Sequence, residues 1–320
     1  MRKYLVQILI VLVLLGLAWG LYLLGKEPVS SEKQIEASVH QSAGDIVLPN
    51  HLPISQEFLP IRNWSVENPE IMAKSGVIIS FTPSEVEGNI LYQKSKDQVL
   101  PIASLSKIMT AVVALENFDL EEVIKVSKNS ILILGDKGGL IRGEELKVRD
   151  LLYIMLMESS NDAAMALAND NPRLPYNEFL NLMNSKAKEL GLENTSFLDP
   201  IGLNSKNKST VFELAKLIDY ALRFPILWEI LKTPELTIYS IDNQFIHNLI
   251  NTNQLLEKIS FLLGGKTGYT EEAGGCMLTV SEIHNSLGGT NYLITVVLGS
   301  DQREIDTETL INWTQEAYLW

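Results

Sequence analysis

The order of strand-forming and helix-forming segments most constrains the fold. Residues 76–82 (Gly-Val-Ile-Ile-Ser-Phe-Thr) and 89–94 (Asn-Ile-Leu-Tyr-Gln-Lys) have strand composition, with turn chemistry from Pro83 to Gly88 between them. Strand composition returns near the other end, at 275–281 and 292–299, joined by a loop containing Leu287-Gly288-Gly289. Between these pairs the texture is helical. Residues 104–116 place Leu105, Ile108, Met109, Val112 and Leu115 on one face, 148–158 and 162–168 form two apolar segments broken at Ser159-Ser160-Asn161, 176–190 is amphipathic and stops at Gly191, and 210–222 follows. The last stretch, 304–320, reads as a helix with Ile305, Leu310, Ile311 and Trp313. Strands at both ends of a helical block predict an α+β domain whose sheet joins distant parts of the chain, with an inserted helical subdomain.

Charge and composition narrow the function. The 320 residues are 46% apolar and 20% charged, as in a folded protein, and the net charge of −13 leaves no basic surplus to neutralise nucleic-acid phosphates. An acidic substrate therefore needs a local cluster of cations. The single cysteine, Cys276, excludes an intrachain disulfide and reads as core packing. The four histidines are scattered, and neither cysteine pairs nor a His-Glu-x-x-His helix appear, so no metal or cofactor is implied.

The N-terminus carries an address. Arg2 and Lys3 precede an apolar run from Tyr4 to Leu24 interrupted only by Gln7, Gly16 and Gly20. At about 1.5 Å per residue this run spans a hydrocarbon core of about 30 Å. Basic residues on its short N-terminal side favour N-inside, C-outside. It is followed by Gly25-Lys26-Glu27-Pro28, not by a small-x-small cleavage site, which favours an uncleaved single-pass anchor (residues 1–25) over a cleaved signal and secretion. Residues 26–68, with Pro28, Pro49, Pro53 and Pro60 and no sustained period, read as a stalk, leaving 69–320 as an extracytoplasmic folded domain.

Three short patterns carry chemistry. Ser104-Leu-Ser-Lys107 puts a hydroxyl and an amine at i and i+3 on one helical face, where a neutral amine can take the hydroxyl proton. Ser104 also reads as a simple N-cap, and Ser30, Ser185 and Ser205 match the same Ser-x-x-Lys pattern, but only Ser104 opens an apolar helix. Ser159-Ser-Asn161 places a hydroxyl and an amide in a break between helices, where they can line a cleft or cap the next helix; Ser127-Lys-Asn129 and Ser205-Lys-Asn207 match too. Lys266-Thr-Gly268 occurs once; on one strand its lysine and hydroxyl can bind a carboxylate, and its glycine lets a substrate backbone lie close. A P-loop is excluded, because Ser260 occupies the position of its first glycine.

Taken together and in this order, the three patterns resemble those of penicillin-binding proteins and serine β-lactamases. The flanks resemble the low-molecular-mass D-alanyl-D-alanine carboxypeptidases: Pro101-Ile-Ala-Ser-Leu-Ser-Lys-Ile-Met-Thr110, Met157-Glu-Ser-Ser-Asn-Asp-Ala-Ala164, Leu190-Gly-Leu192, Pro200-Ile-Gly-Leu203, Ser209-Thr210, Asn251-Thr-Asn253 and Gly265-Lys-Thr-Gly-Tyr-Thr270 with Ala273-Gly-Gly-Cys276. The resemblance spans about residues 70–320. It implies a β-lactamase/transpeptidase-like fold, an antiparallel sheet flanked by helices plus a helical subdomain. It also implies cleavage of the terminal D-Ala from stem peptides ending in D-Ala-D-Ala, and covalent inhibition by β-lactams. It makes Ser104 the acylated nucleophile, Lys107 its base, Ser159 and Asn161 a relay and substrate-holding pair, and Lys266 and Thr267 the holders of the terminal carboxylate, with Gly268 and Tyr269 also substrate-binding. Backbone N–H groups of Ser104 and Tyr269 form the oxyanion hole, and Lys266 near Lys107 favours a neutral Lys107. Three rivals stay open: D,D-endopeptidase activity, a penicillin sensor without turnover, and a β-lactamase, although Glu178-Phe-Leu-Asn181 matches the β-lactamase deacylation element poorly in spacing and position.

Overall fold

The computed structural model describes residues 60–81, 88–132, 139–284 and 289–320. The apolar run of residues 4–24, and with it the expected anchor and most of the expected stalk, lies outside the described residues. Among the described residues no helix is long and apolar enough to cross a membrane.

The chain runs β1 (Ile61–Arg62), β2 (Ser75–Phe81), β3 (Asn89–Lys94), β4 (Leu100–Pro101), a 3-10 turn (Ala103–Leu105), α1 (Ser106–Asn117), β5 (Val123–Lys125), β6 (Glu145–Lys147), α2 (Val148–Met157), α3 (Asn161–Asn169) and α4 (Tyr176–Glu189). It continues through β7 (Lys208–Ser209), α5 (Val211–Ala221), α6 (Pro225–Lys232), β8 (Glu235–Tyr239), β9 (Ile246–Ile250), β10 (Leu262–Thr270), β11 (Gly274–His284), β12 (Thr290–Ser300), α7 (Arg303–Ala317) and β13 (Tyr318–Leu319). The main sheet is antiparallel in the order β10-β11-β12-β2-β3, so the two ends of the domain do meet in one sheet.

Side-chain alternation in this sheet builds two cores. Val77, Ile79 and Phe81 of β2, Leu278 and Val280 of β11, and Ile294, Val296 and Leu298 of β12 face the helical block. Ile78, Met277, Leu293 and Val297, one residue out of phase, face α7 through Leu310, Ile311 and Trp313. A sheet covered on both faces explains why its strands read as nearly continuous apolar runs. In the helical block, α1 is buried from Ser106 through Ala114 and forms its axis. α4 ends where expected: Gly191 follows it at φ +67°, the left-handed position that glycine adopts at no steric cost.

The domain begins earlier than the stalk boundary at 68 allowed. β1 pairs with β13, and Trp313 Nε1 donates to Glu67 O at 2.7 Å. The Arg62 guanidinium stacks on Trp313 and Tyr318 with 5.0 and 5.5 Å to the ring centroids. A proline-bearing polar stretch reads as linker when the partners that order it, Trp313 and Tyr318, lie some 250 residues away. The same contacts end α7 at Ala317 and turn the last residues into a strand.

Candidate active site

Ser104 sits in the 3-10 turn that leads into α1, two residues before the α-helix proper rather than at its first residue. Ala103, just before it, has φ +47°, uncommon for a residue with a side chain and typical of strained functional turns. The turn is held from below by the loop at 199–207. Asn207, fully buried, donates through Nδ2 to Ser106 Oγ at 3.0 Å and to Asp199 O at 2.8 Å, and Ser106 Oγ donates to Ala103 O at 2.9 Å. Thr110 Oγ1 donates to Pro200 O at 2.6 Å. Gly202, at φ +89°, lies so close that a Cβ there would stand 2.0 Å from Ala103 O.

Lys107, fully buried one turn on, joins this turn to the second motif. Its Nζ lies 2.9 Å from Ser104 Oγ and donates to Asn161 Oδ1 at 2.8 Å and to Ile201 O at 2.7 Å. The three residues of the Ser-x-Asn element divide the work. Ser160 is the N-cap of α3, its Oγ accepting from Ala163 N at 3.1 Å. That leaves Asn161 to reach Lys107, while Ser159 is nearly buried at φ +63°. Capping and chemistry, alternatives for the sequence, are both present on adjacent residues. Glu158, just before, is half-buried; burial lifts its carboxyl above the usual range against the Ile250 N–H and His247.

The third motif lies on β10, the edge strand of the main sheet. It approaches the nucleophile turn so closely that a Cβ on Gly268 would stand 2.9 Å from Ser104 N. Strand alternation puts Lys266 on the same face as Gly268. Lys266 is buried and its Nζ donates to Thr267 O at 2.9 Å. Thr267 Oγ1 lies 2.7 Å from Thr252 Oγ1, and Tyr269 is exposed at the strand end. The strand also disposes of a P-loop, whose Gly-Lys-Thr opens a helix.

Thus Ser104, Lys107 and Asn161 are joined directly, Gly268 abuts Ser104, and Lys266 and Thr267 flank that contact. The decoys fall away: Ser185 and Ser205 are exposed, and Glu178 is exposed on the first turn of α4. Cys276 is buried opposite Gly268 in β11, where burial pushes its thiol up to about 11. Several participants were not singled out from sequence. Arg303 Nη1 donates to Gly268 O at 2.8 Å from the start of α7. Asn207 figured only as part of a spurious Ser-x-Asn match, and the Ile201 carbonyl has no side-chain signature at all. The Pro200-Ile-Gly-Leu203 stretch was the one available signal. Among the described residues no cluster of three or more His, Cys, Asp or Glu is placed to hold a metal ion.

The chain that carries this arrangement is similar in sequence and fold to known proteins. The D-alanyl-D-alanine carboxypeptidase family, peptidase family S11, matches residues 62–302. A D-alanyl-D-alanine endopeptidase of Pseudomonas aeruginosa is 32% identical over 235 residues, 72% of this chain and 75% of that protein. A D-alanyl-D-alanine carboxypeptidase of Bacillus subtilis is also 32% identical over 235 residues, 71% of this chain and 57% of its own length. The crystal structure of the Streptomyces K15 DD-transpeptidase superposes with a TM-score of 0.70 at 30% identity, covering 78% of this chain and 100% of that one.

Proposed function

The chain belongs to the D-alanyl-D-alanine carboxypeptidase family of serine peptidases, and from that premise we propose that it removes the terminal D-Ala from peptidoglycan stem peptides through an acyl-enzyme on Ser104. The observation that carries the proposal is the set of partners around Lys107 Nζ. A neutral amine has two N–H donors and one lone pair. Asn161 Oδ1 and Ile201 O both accept from Nζ and hold the nitrogen 2.9 Å from Ser104 Oγ, where a neutral amine can take the hydroxyl proton. Burial adds to this, since a buried ammonium costs more than a buried amine.

The reaction then runs in two halves. The Ser104 hydroxyl gives its proton to Lys107 as Oγ bonds to the carbonyl carbon of the penultimate D-Ala. Backbone N–H groups of Ser104 and Tyr269 hold the oxyanion. The C–N bond breaks, the proton passes by way of Ser159 to the leaving amine, and free D-Ala departs from an ester on Ser104. Lys266 and Thr267 hold the substrate carboxylate, the local cation site that a chain of net charge −13 requires. Water then attacks the ester with Lys107 again as base, freeing the shortened peptide and Ser104. A β-lactam enters the first half and stalls at the ester.

D-Ala release from a pentapeptide, measured for the wild type and for Ser104→Ala, tests the reading. Loss of release in the variant supports it. A wild type that is acylated by penicillin yet releases no D-Ala makes the domain a sensor, and rapid steady turnover of nitrocefin makes it a β-lactamase. We further propose that residues 1–25 hold the enzyme in the membrane as an uncleaved single-pass anchor with the catalytic domain outside. The length of the apolar run and the basic residues before it support this. Recovery of the full-length chain in the alkali-washed membrane fraction is the expected result; a shortened, soluble chain contradicts it.

A further inference from the structure

Asp199 belongs to none of the three motifs, yet its carboxylate organises the loop that supports Lys107. The half-buried side chain takes four N–H groups. Its Oδ1 accepts from Ile201 N at 2.9 Å, from Gly202 N at 2.5 Å and from Asn207 Nδ2 at 3.2 Å, and its Oδ2 accepts from Asn204 N at 2.7 Å. Among the described residues no lysine or arginine forms an ion pair with it. Backbone dipoles and one amide therefore answer its charge, and N–H bonds to a carboxylate are about twice as strong as those to a neutral acceptor. The turn follows from the sequence. An aspartate bonds readily to the backbone two residues on, and Pro200 between them has no N–H to offer, so Ile201 and Gly202 turn theirs toward the carboxylate.

The backbone held in this way is the part of the loop on which the site leans. Pro200 O accepts from Thr110 Oγ1 at 2.6 Å, Ile201 O accepts from Lys107 Nζ at 2.7 Å, and Gly202 abuts Ala103. Asn207 closes the loop from its other end. Its Nδ2 reaches Ser106 Oγ as well as Asp199, and its Oδ1 accepts from Leu198 N at 2.7 Å. One carboxylate thus fixes the N–H groups of two consecutive residues, the first of which holds the amine and the second of which sets the height of the nucleophile turn. We propose that Asp199 is a positioning residue for acyl transfer: by anchoring Ile201 and Gly202 it aims the Ile201 carbonyl at Lys107 and keeps the amine against Ser104. The proposal rests on the acyl-enzyme reading above, and Asp199 acts through Ile201 and Lys107 rather than on the substrate. What counts is the number of acceptors. Oδ1 alone takes three of the four N–H groups, so an amide oxygen in its place keeps most of the support.

The test uses the full-length chain in detergent and compares Asp199→Asn, Asp199→Ser and Asp199→Ala. The readouts are the rate of acylation by labelled penicillin, kcat and KM for D-Ala release from a pentapeptide, and urea unfolding. Asp199→Ala is expected to lose about 10²-fold in acylation rate and in kcat, the scale of a misplaced reacting group, with KM within about twofold of wild type. Asp199→Asn should lose less than about tenfold, and Asp199→Ser, whose hydroxyl keeps a single acceptor for the turn, should fall between them and carries the comparison if the alanine variant does not fold. Three results overturn the proposal: variants that unfold more easily but are acylated at the wild-type rate, which makes Asp199 a stabilising residue only; an asparagine variant as slow as the serine or alanine variant; and a loss confined to KM. A wild type acylated with this dependence that releases no D-Ala overturns the carboxypeptidase reading and keeps the role of Asp199.

Discussion

Replacing Gly202 by alanine should disable the enzyme without touching any motif residue. Gly202 has φ +89°, where alanine pays about 1–2 kcal/mol of backbone strain. The added Cβ would stand 2.0 Å from Ala103 O, 2.4 Å from Ala103 C and 2.9 Å from Ser104 N. All three are backbone atoms, so no side chain can swing away. Restoring a normal contact of about 3.5 Å displaces the nucleophile turn by roughly 1 Å or more. Overpacking of this kind costs about 1–3 kcal/mol, which with the strain makes about 2–5 kcal/mol of folding stability. A shift of about 1 Å at the reacting hydroxyl is worth about 10²-fold in rate. The control is Gly191→Ala: its φ is +67°, with nothing within 4 Å of the added Cβ, so it carries the strain alone. Urea unfolding and the kcat/KM of D-Ala release should separate the two, both variants losing stability but only Gly202→Ala losing the rate. A Gly202→Ala enzyme that releases D-Ala at the wild-type rate would refute the claim that the loop at 199–207 sets the position of Ser104.

Asn161→Ala removes a carbonyl acceptor of Lys107 and should slow acylation by labelled penicillin about 10²-fold. Asn161→Asp should slow it at least as far, because a carboxylate beside the amine favours the protonated form that cannot act as base; an Asp variant acylating like wild type would contradict the neutral-amine account. Asp306, which ties α7 to the start of β2, accepts from Met72 N at 3.0 Å, Ala73 N at 2.7 Å and Ser300 Oγ at 2.6 Å. Burial pushes its carboxyl up, but these bonds and one from Gln302 outweigh burial and hold it below the usual carboxylate range. A depressed pKa stabilises the fold above the unfolded value of about 4, and this contribution is lost as pH falls through the lower folded value. Asp306→Asn should therefore cost about 2–3 kcal/mol at neutral pH, with the gap to wild type closing as urea unfolding is repeated at more acid pH.

Local signals in the sequence were enough for most of the fold and for the chemistry of each motif. The helices at 148–158 and 176–190 and the strand at 89–94 emerged within a residue or two because apolar period and turn residues are local properties. The α6 helix and the β8–β9 hairpin were not predicted. α6 is only eight residues long, and the outward face of the hairpin exposes Tyr239, Ile246 and Ile250, which blurs the alternation that marks a half-buried strand. In the site, the side chains with nucleophilic or ionic chemistry could be named from spacing and resemblance. What positions them could not: the Ile201 carbonyl acts through its backbone, Gly202 through an absent side chain, and Arg303 across 35 residues. Sequence spacing carries chemical type, whereas support of this kind depends on which distant segments the fold brings into contact.

The central claim is that the Ser104 hydroxyl, activated by Lys107, forms the covalent intermediate. Intact-mass analysis after brief exposure to a β-lactam, followed by peptide mapping, addresses it directly. The account predicts one adduct per chain, on the peptide containing Ser104, absent from Ser104→Ala and formed far more slowly in Lys107→Ala. An adduct on another residue, or one that persists in Ser104→Ala, would contradict it.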